Sequence, residues 1–227
     1  MIEKEILDYR LDKLIFSQNM LSARKRSKKE FIDKYIRHIF WSDDSQLDRD
    51  YEQNMSYGRD FHLMCQRIFL GIDPIRSTSD YDKDLDRVKK IYRLYKNRYG
   101  QDVIFLPEHR IELKDRIQAT YDLLVKVYEN GELIRLDIWD WKTERKKIEK
   151  NYAENKMQTR VYMYVCKESI GSDLDYENIR MYYYQPAIDR QVMVDYSEDR
   201  HAANRNIIYS IIGEIRNLKL EDLREEV

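Results

Sequence analysis

Residues 121–128 read Tyr-Asp-Leu-Leu-Val-Lys-Val-Tyr, and residues 133–140 read Leu-Ile-Arg-Leu-Asp-Ile-Trp-Asp; between them lies Glu129-Asn130-Gly131-Glu132. Asn-Gly tolerates the left-handed backbone of a tight hairpin turn, so the stretch predicts an antiparallel β-ribbon, Tyr121–Tyr128 against Leu133–Asp140. Strand interiors normally exclude Asp and Lys, because a buried charge is costly unless it is paired or metal-bound. Here Asp122, Asp140 and Lys142 sit among Leu, Val, Ile and Trp. Asp140 and Lys142 are two apart and share a sheet face. The face of Asp122 depends on register. A two-residue Asn130-Gly131 turn pairs 122 with 139 and separates the carboxylates. A three-residue loop 129–131 with a Gly131 bulge pairs 128 with 132 and 122 with 138, which puts all three groups on one face. The bulged register is the expectation; local distortion where Asp122 begins its strand is another route to the same meeting.

Two carboxylates beside an ammonium suit a hard cation such as Mg²⁺, which keeps room for water and phosphate oxygens. Such an ion acidifies water and neutralises charge on a phosphodiester under attack, while the lysine orients or deprotonates the water or stabilises the transition state. The plain alternative is an ion network at a strand end.

Around the ribbon, helical spacing recurs in Phe31, Tyr35, Ile36 and Ile39. It returns in Phe61, Met64, Cys65, Ile68 and Phe69, with Ser56 as N-cap and Gly71 as stop, and in Leu85, Val88, Ile91, Tyr92, Tyr95 and Tyr99 between Ser79 and Gly100. Strands are expected at Val103–Leu106, Ile111–Ile117, Ile179–Gln185 and Gln191–Tyr196, with helices over 150–168 and through Ile207–Ile215. The expected fold is a single α/β domain with a central mixed sheet flanked by helices. It divides into a mainly helical part (1–100), a sheet and helix bearing the site (101–196) and a closing helix (197–227).

Gly and Pro total nine in 227 residues, which leaves little room for linkers. No apolar run is long enough to span a membrane, and the N-terminus lacks a signal-peptide core. Cys65 and Cys166 alone support neither a disulfide framework nor a four-cysteine cluster. A reduced, cytoplasmic protein is expected. The net charge of −1 conceals uneven placement: residues 24–34 carry six basic and two acidic side chains, residues 142–150 five and two, and residues 43–52 one basic against five acidic. Each run also reads as a solvated helix face.

These residues resemble the PD-(D/E)xK nuclease superfamily, specifically its RecB-like branch. Asp122 followed by Asp140-Trp141-Lys142-Thr143 is similar to its core. Phe16-Ser17-Gln18-Asn19-Met20-Leu21, Gly58-Arg59-Asp60-Phe61-His62 and Gln158-Thr159-Arg160-Val161-Tyr162 resemble its flanking motifs in order, and Pro107-Glu108 stands where members often carry a glutamate. The resemblance implies a restriction-endonuclease-like core with a helical N-terminal region, and a DNA nuclease using Mg²⁺ or Mn²⁺. By the same resemblance His62, Asp122, Asp140 and the Trp141 carbonyl ligate the metal, with Glu108 as a further candidate. Lys142 acts on the attacking water, and Gln158 and Tyr162 position the lysine loop or a phosphate. Ala119-Thr120-Tyr121-Asp122 departs from the family's Gly-Arg-Ile-Asp. The cysteines needed by iron–sulfur members are missing, so no cluster is expected.

Other readings stay beside these. His62 taken alone reads as a core or boundary histidine, and His38, His109 and His201 as structural. Tyr182-Tyr183-Tyr184 must alternate faces and reads as packing, although tyrosines also stack bases. Arg145, Lys146 and Lys147, just beyond Lys142, are candidates for the DNA backbone, as are Arg24, Lys25 and Arg26. The leading function is a DNA nuclease acting on ends or single strands. Its competitors are an inactive nuclease-fold module that binds nucleic acid or a helicase-type partner, and a purely structural adaptor.

Overall fold

The computed structural model describes residues 4–39, 46–72 and 82–223, of which residues 46–56 are described as backbone alone. Ser79 therefore lies outside the described residues, as does the acidic run 43–52 except for the backbone of its second half.

The chain runs α1 (Lys4–Lys13), β1 (Phe16–Ser17), α2 (Gln18–Arg26) and α3 (Lys28–Phe31), which continues as a π-helical turn over Ile32–Arg37. Then come α4 (Gln46–Phe69), α5 (Asp82–Tyr99), β2 (Val103–Glu112), β3 (Ile117–Glu129) and β4 (Glu132–Trp141). After them come α6 (Lys150–Asn155), α7 (Met157–Lys167), β5 (Ile179–Gln185), β6 (Arg190–Val194) and α8 (Glu198–Arg216). The six strands form one mixed sheet in the order β2-β3-β4-β5-β6, with β1 parallel to the start of β3 and β4 parallel to β5. This is the expected α/β architecture.

Helices cover both faces, and each face has its own core. On one side Leu21 of α2, Val161 of α7 and Ile208 of α8 pack with Tyr121, Ile138 and Tyr183 of the sheet. On the other, Phe61 and Cys65 of α4 and Val88 of α5 pack on Trp139 and Trp141. Leu136–Trp141 of β4 are buried without interruption, as a central strand covered on both faces requires. Helix α7 is buried nearly all round, between the sheet and helices α2 and α8.

Several boundaries differ from the sequence reading. Helix α4 runs through Ser56 rather than starting at it. Strand β2 is continuous from Val103 to Glu112, and Leu113–Arg116 form a turn before β3, so the expected strand over 111–117 spans a strand end, a turn and a strand start. The helix expected over 150–168 breaks at Lys156, whose backbone is extended. The closing helix starts at Glu198, after a cap where the Ser197 hydroxyl accepts the Arg200 N–H at 3.2 Å, and it ends at Arg216, short of the expected 227. Ser197→Ala should cost about 1 kcal/mol, lowering the melting temperature by roughly 2–4 °C; calorimetry of the two proteins checks it.

The ribbon register corrects an expectation. The turn is the two-residue Asn130-Gly131, with φ of 52° and 84°, and it pairs Glu129 with Glu132. The three-residue loop does not form, because Asn-Gly meets the φ demands of the tighter turn unaided. A bulge follows at once: Tyr128 pairs with Leu133 but Val127 with Arg135, so β4 carries one extra residue, and the ladder continues to Leu123 opposite Trp139. Extending that register sets Asp122 across from Asp140, not Ile138.

Candidate metal and phosphodiester site

Asp122 stands where two strands change phase together. Ile117, Ala119 and Tyr121 point into the α7-side core, whereas Leu123, Val125 and Val127 point into the α4-side core. Across the ladder Glu108 has a φ of 50°, and pairing skips Glu108 and Asp122 before resuming in the same register. A positive φ is uncommon outside glycine and turns the chain locally. The kink leaves Asp122 outside either core, beside the Trp141 N–H and His62. Local distortion at Asp122 thus accompanies the altered register.

There the Trp141 N–H donates to Asp122 Oδ2 at 2.8 Å, and His62 Nδ1 lies 3.4 Å from Asp122 Oδ1. His62, Glu108 and Asp122 each offer a ligand atom within 4.8 Å of the others. Helix α4 supplies His62 over a cleft of about 580 Å³ lined by Gly58, Arg59, Leu63, Glu108 and Thr143. The helix runs close to the loop after β4: a Cβ at Gly58 would make an ordinary 3.8 Å contact with Thr143 Oγ1.

Asp140 completes the arrangement from the α7 side. It is 1% exposed, its Oδ2 lies 2.6 Å from Lys142 Nζ, and its Oδ1 accepts Gln158 Nε2 at 2.5 Å. Tyr162, one turn after Gln158, packs edge-on against Tyr121 at 5.0 Å between ring centres, and the Tyr121 hydroxyl donates to the Tyr162 carbonyl at 3.0 Å. The Tyr121 that departs from the family pattern therefore ties the aspartate strand to the helix bearing Gln158.

The electrostatics share one sense. Burial, then the charge of Asp122, pushes Asp140 up to about 6 against the pull of Lys142. Burial and Asp122 also raise Glu108. Burial works against the His62 imidazolium, but Asp122, Asp140 and Glu108 together raise its pKa. Burial likewise opposes the Lys142 ammonium, and the Asp140 charge overcomes it. Three carboxylates are crowded with too little positive charge, a condition that a divalent cation relieves. Carboxylate oxygens with one imidazole are suitable donors for such an ion, and the group whose ligand atoms come within 4.8 Å of one another is His62, Glu108 and Asp122, with Asp140 outside it.

The basic candidates are distributed unequally. Arg145, Lys146 and Lys147 are exposed on the loop after Lys142. Arg24 pairs with Glu214, Arg26 pairs with Glu30, and Lys25 is exposed. Cys65 and Cys166 are buried free thiols on opposite faces of the sheet.

Two residues at the site escape sequence reasoning. Gln185, 1% exposed, donates to the carbonyls of Glu144 and Lys146 and accepts the Ile148 N–H, which pins the loop after Lys142. Its only signal is an amide ending an apolar strand. Lys156, at the break between α6 and α7, holds its Nζ 5.0 Å from the Tyr183 ring centre, with Lys142 Nζ 5.8 Å from the same ring. Burial and the neighbouring Lys142 charge lower its pKa.

A solved structure titled "Crystal structure of SSO0001" is similar to the chain with a TM-score of 0.43 and 11% identity, covering 92% of this chain and 84% of the other. No curated protein matches. The sequence profile of the PD-(D/E)XK nuclease superfamily matches residues 16–225, nearly the whole described chain, and the mixed sheet flanked by helices is consistent with a restriction-endonuclease-like fold. The chain belongs to the PD-(D/E)XK nuclease superfamily.

Proposed function

We propose that the protein is a metal-dependent deoxyribonuclease of the RecB-like branch, hydrolysing phosphodiesters at ends or in single strands. The observation that carries this reading is the convergence of His62, Glu108 and Asp122 at the end of the ribbon where Asp140 holds Lys142. Residues 1–227 are read as one nuclease-like domain, cytoplasmic, with a helical part, a catalytic sheet and a closing helix. No helix among the described residues is long and apolar enough to cross a membrane.

In this reading His62, Asp122, Asp140 and the Trp141 carbonyl hold Mg²⁺ or Mn²⁺, with Glu108 beside them. The bound ion would polarise a phosphoryl oxygen and acidify a water. Lys142, an ammonium clamped by Asp140, orients that water and stabilises charge on the phosphate oxygens. Gln158 fixes Asp140, Tyr162 supports that helix face, and Arg145, Lys146 and Lys147 bind the DNA backbone beyond the scissile bond, with Arg24, Lys25 and Arg26 as an outer contact.

Linear, circular, single-stranded and double-stranded DNA incubated with Mg²⁺ or Mn²⁺, then with chelator, test the proposal. Cleavage that needs the ion and favours ends or single strands is expected. Binding without cleavage under every ion would replace it with an inactive module that holds nucleic acid or a helicase-type partner.

A further inference from the structure

Lys156 stands at the joint between α6 and α7, where the backbone opens to φ −61° and ψ 140°. Its main chain is paired on both sides: the N–H donates to the Ala153 carbonyl at 3.4 Å, and the carbonyl accepts the Arg160 N–H at 3.1 Å. Its side chain is not. Among the described residues Lys142 has Asp140 as its ion-pair partner at 2.6 Å, whereas Lys156 has neither an ion pair nor a side-chain hydrogen bond.

A lysine at a helix start ordinarily carries its charge out to water. This one is half-buried between two tyrosines, with Nζ 5.2 Å from the Tyr152 ring centre and 5.0 Å from that of Tyr183. Tyr183 pairs with Asp140 in the parallel ladder of β4 and β5, and Lys142 Nζ lies 5.8 Å from the same ring centre. That ring is fixed: it is 0% exposed, its hydroxyl is 2.7 Å from Thr159 Oγ1, and Thr159 donates in turn to the Ala153 carbonyl. Two ammonium groups therefore share one rigid aromatic wall beside Asp140.

The arrangement is unfavourable as it stands. Burial and the Lys142 charge both oppose the Lys156 ammonium, and the pull of Asp140 and of exposed Glu144 does not cancel them. Contact with aromatic faces explains where the stem rests. It does not explain a second cation brought up to Lys142 without a carboxylate of its own. An anion between the two would relieve the repulsion, and in the nuclease reading the anion that enters here is a phosphodiester. Arg145, Lys146 and Lys147 differ, because they are exposed on the loop after β4. We propose that Lys156 is a second catalytic lysine, whose ammonium contacts a non-bridging oxygen of the phosphate under attack and stabilises the charge gathering there. The water oxygen bonds to phosphorus, the bond to the leaving ester oxygen breaks, and protons pass from the water and to the leaving oxygen through solvent; Lys156 keeps its own. The proposal rests on the nuclease reading and names a residue outside the motif segments that carry the family resemblance.

The test uses the full chain with Mg²⁺ or Mn²⁺ and a linear single-stranded oligodeoxynucleotide. Lys156→Met keeps an apolar stem against the tyrosines and removes the charge, while Lys156→Arg keeps the charge. Lys156→Met should lower kcat by about 10²–10³-fold, the range for losing one donor to a developing oxyanion, with KM changed far less. Lys156→Arg should recover much of that loss. A substrate with one stereochemically pure phosphorothioate at the scissile linkage adds a coupling measurement. For one of the two diastereomers, sulfur should slow the unsubstituted protein more than it slows Lys156→Met, because the variant already lacks the contact. An undiminished kcat in Lys156→Met, a loss confined to KM, or equal sulfur effects in both proteins for both diastereomers overturns the proposal. So does a fall in kcat that Lys156→Arg repeats together with a lowered melting temperature, which marks a structural role. If the unsubstituted protein cleaves no DNA with either ion, the nuclease reading fails and Lys156 falls with it. Cleavage by the unsubstituted protein and an equally active variant removes Lys156 alone.

Discussion

Asp122→Asn should remove metal-dependent cleavage while leaving the fold intact. The asparagine keeps an oxygen to accept the Trp141 N–H, so the hydrogen bond that ties the two strands survives. What it loses is the negative charge between His62 and Glu108, on which cation binding depends in the proposed site. A fall of about 10²–10⁴ in rate is expected, the range for losing one preorganised electrostatic or proton-transferring group. Without metal the substitution also relieves the crowding that raises Asp140 and Glu108, so the melting temperature in chelator should be unchanged or higher. Stabilisation by added Mg²⁺ or Mn²⁺, which follows from binding the folded state alone, should shrink or vanish. Cleavage rate and melting temperature, each with ion and with chelator, give the four numbers required. Undiminished cleavage would end the assignment of this centre.

Lys142→Ala is expected to lose cleavage to a similar degree but with a stability cost, because it strands Asp140 at 1% exposure. Breaking a buried pair costs about 3–5 kcal/mol when the remaining charge persists. Asp140, already pushed up to about 6, is raised further once Lys142 no longer lowers it. The sign follows directly: a carboxyl raised above its unfolded value is stabilised in its protonated form, so the loss should be smallest in acid and grow as pH rises through that raised value.

The second large effect concerns stability. Tyr121 is 0% exposed, and it joins β3 to α7 through its ring and its hydroxyl. Tyr121→Ala should destabilise by about 3–5 kcal/mol, as truncation of a buried aromatic leaves a cavity that the packed surroundings cannot fill. Tyr121→Phe keeps the ring and removes only one hydrogen bond, a loss of about 0.5–1.5 kcal/mol. Denaturant unfolding of both variants separates the two contributions. If Tyr121→Ala costs no more than Tyr121→Phe, the ring does not hold α7 to the sheet.

The chemistry of the site was legible because its residues are out of place locally. Asp122, Asp140 and Lys142 violate the composition of a buried strand, and Asn130-Gly131 announces the turn that brings their strands together. The α/β architecture followed from periodicity, which reports burial one element at a time. The break at Lys156 and the start of α4 were not legible, because side-chain spacing persists across a break and helix starts depend on contacts outside the segment.

Residue pattern alone determined that the two strands of the ribbon pair, which groups are candidates for the chemistry and in what order they occur, since those properties are carried by side-chain chemistry and short-range turn geometry. Tertiary structure decided how the groups meet. Whether Asp122 faces Asp140 depends on an extra residue in β4 and a paired kink at Glu108 and Asp122, both settled by packing two cores against opposite faces of one sheet. Parity along a strand is a local rule, and one bulge resets it; only the three-dimensional fit of helices α4 and α7 selects the phase that survives.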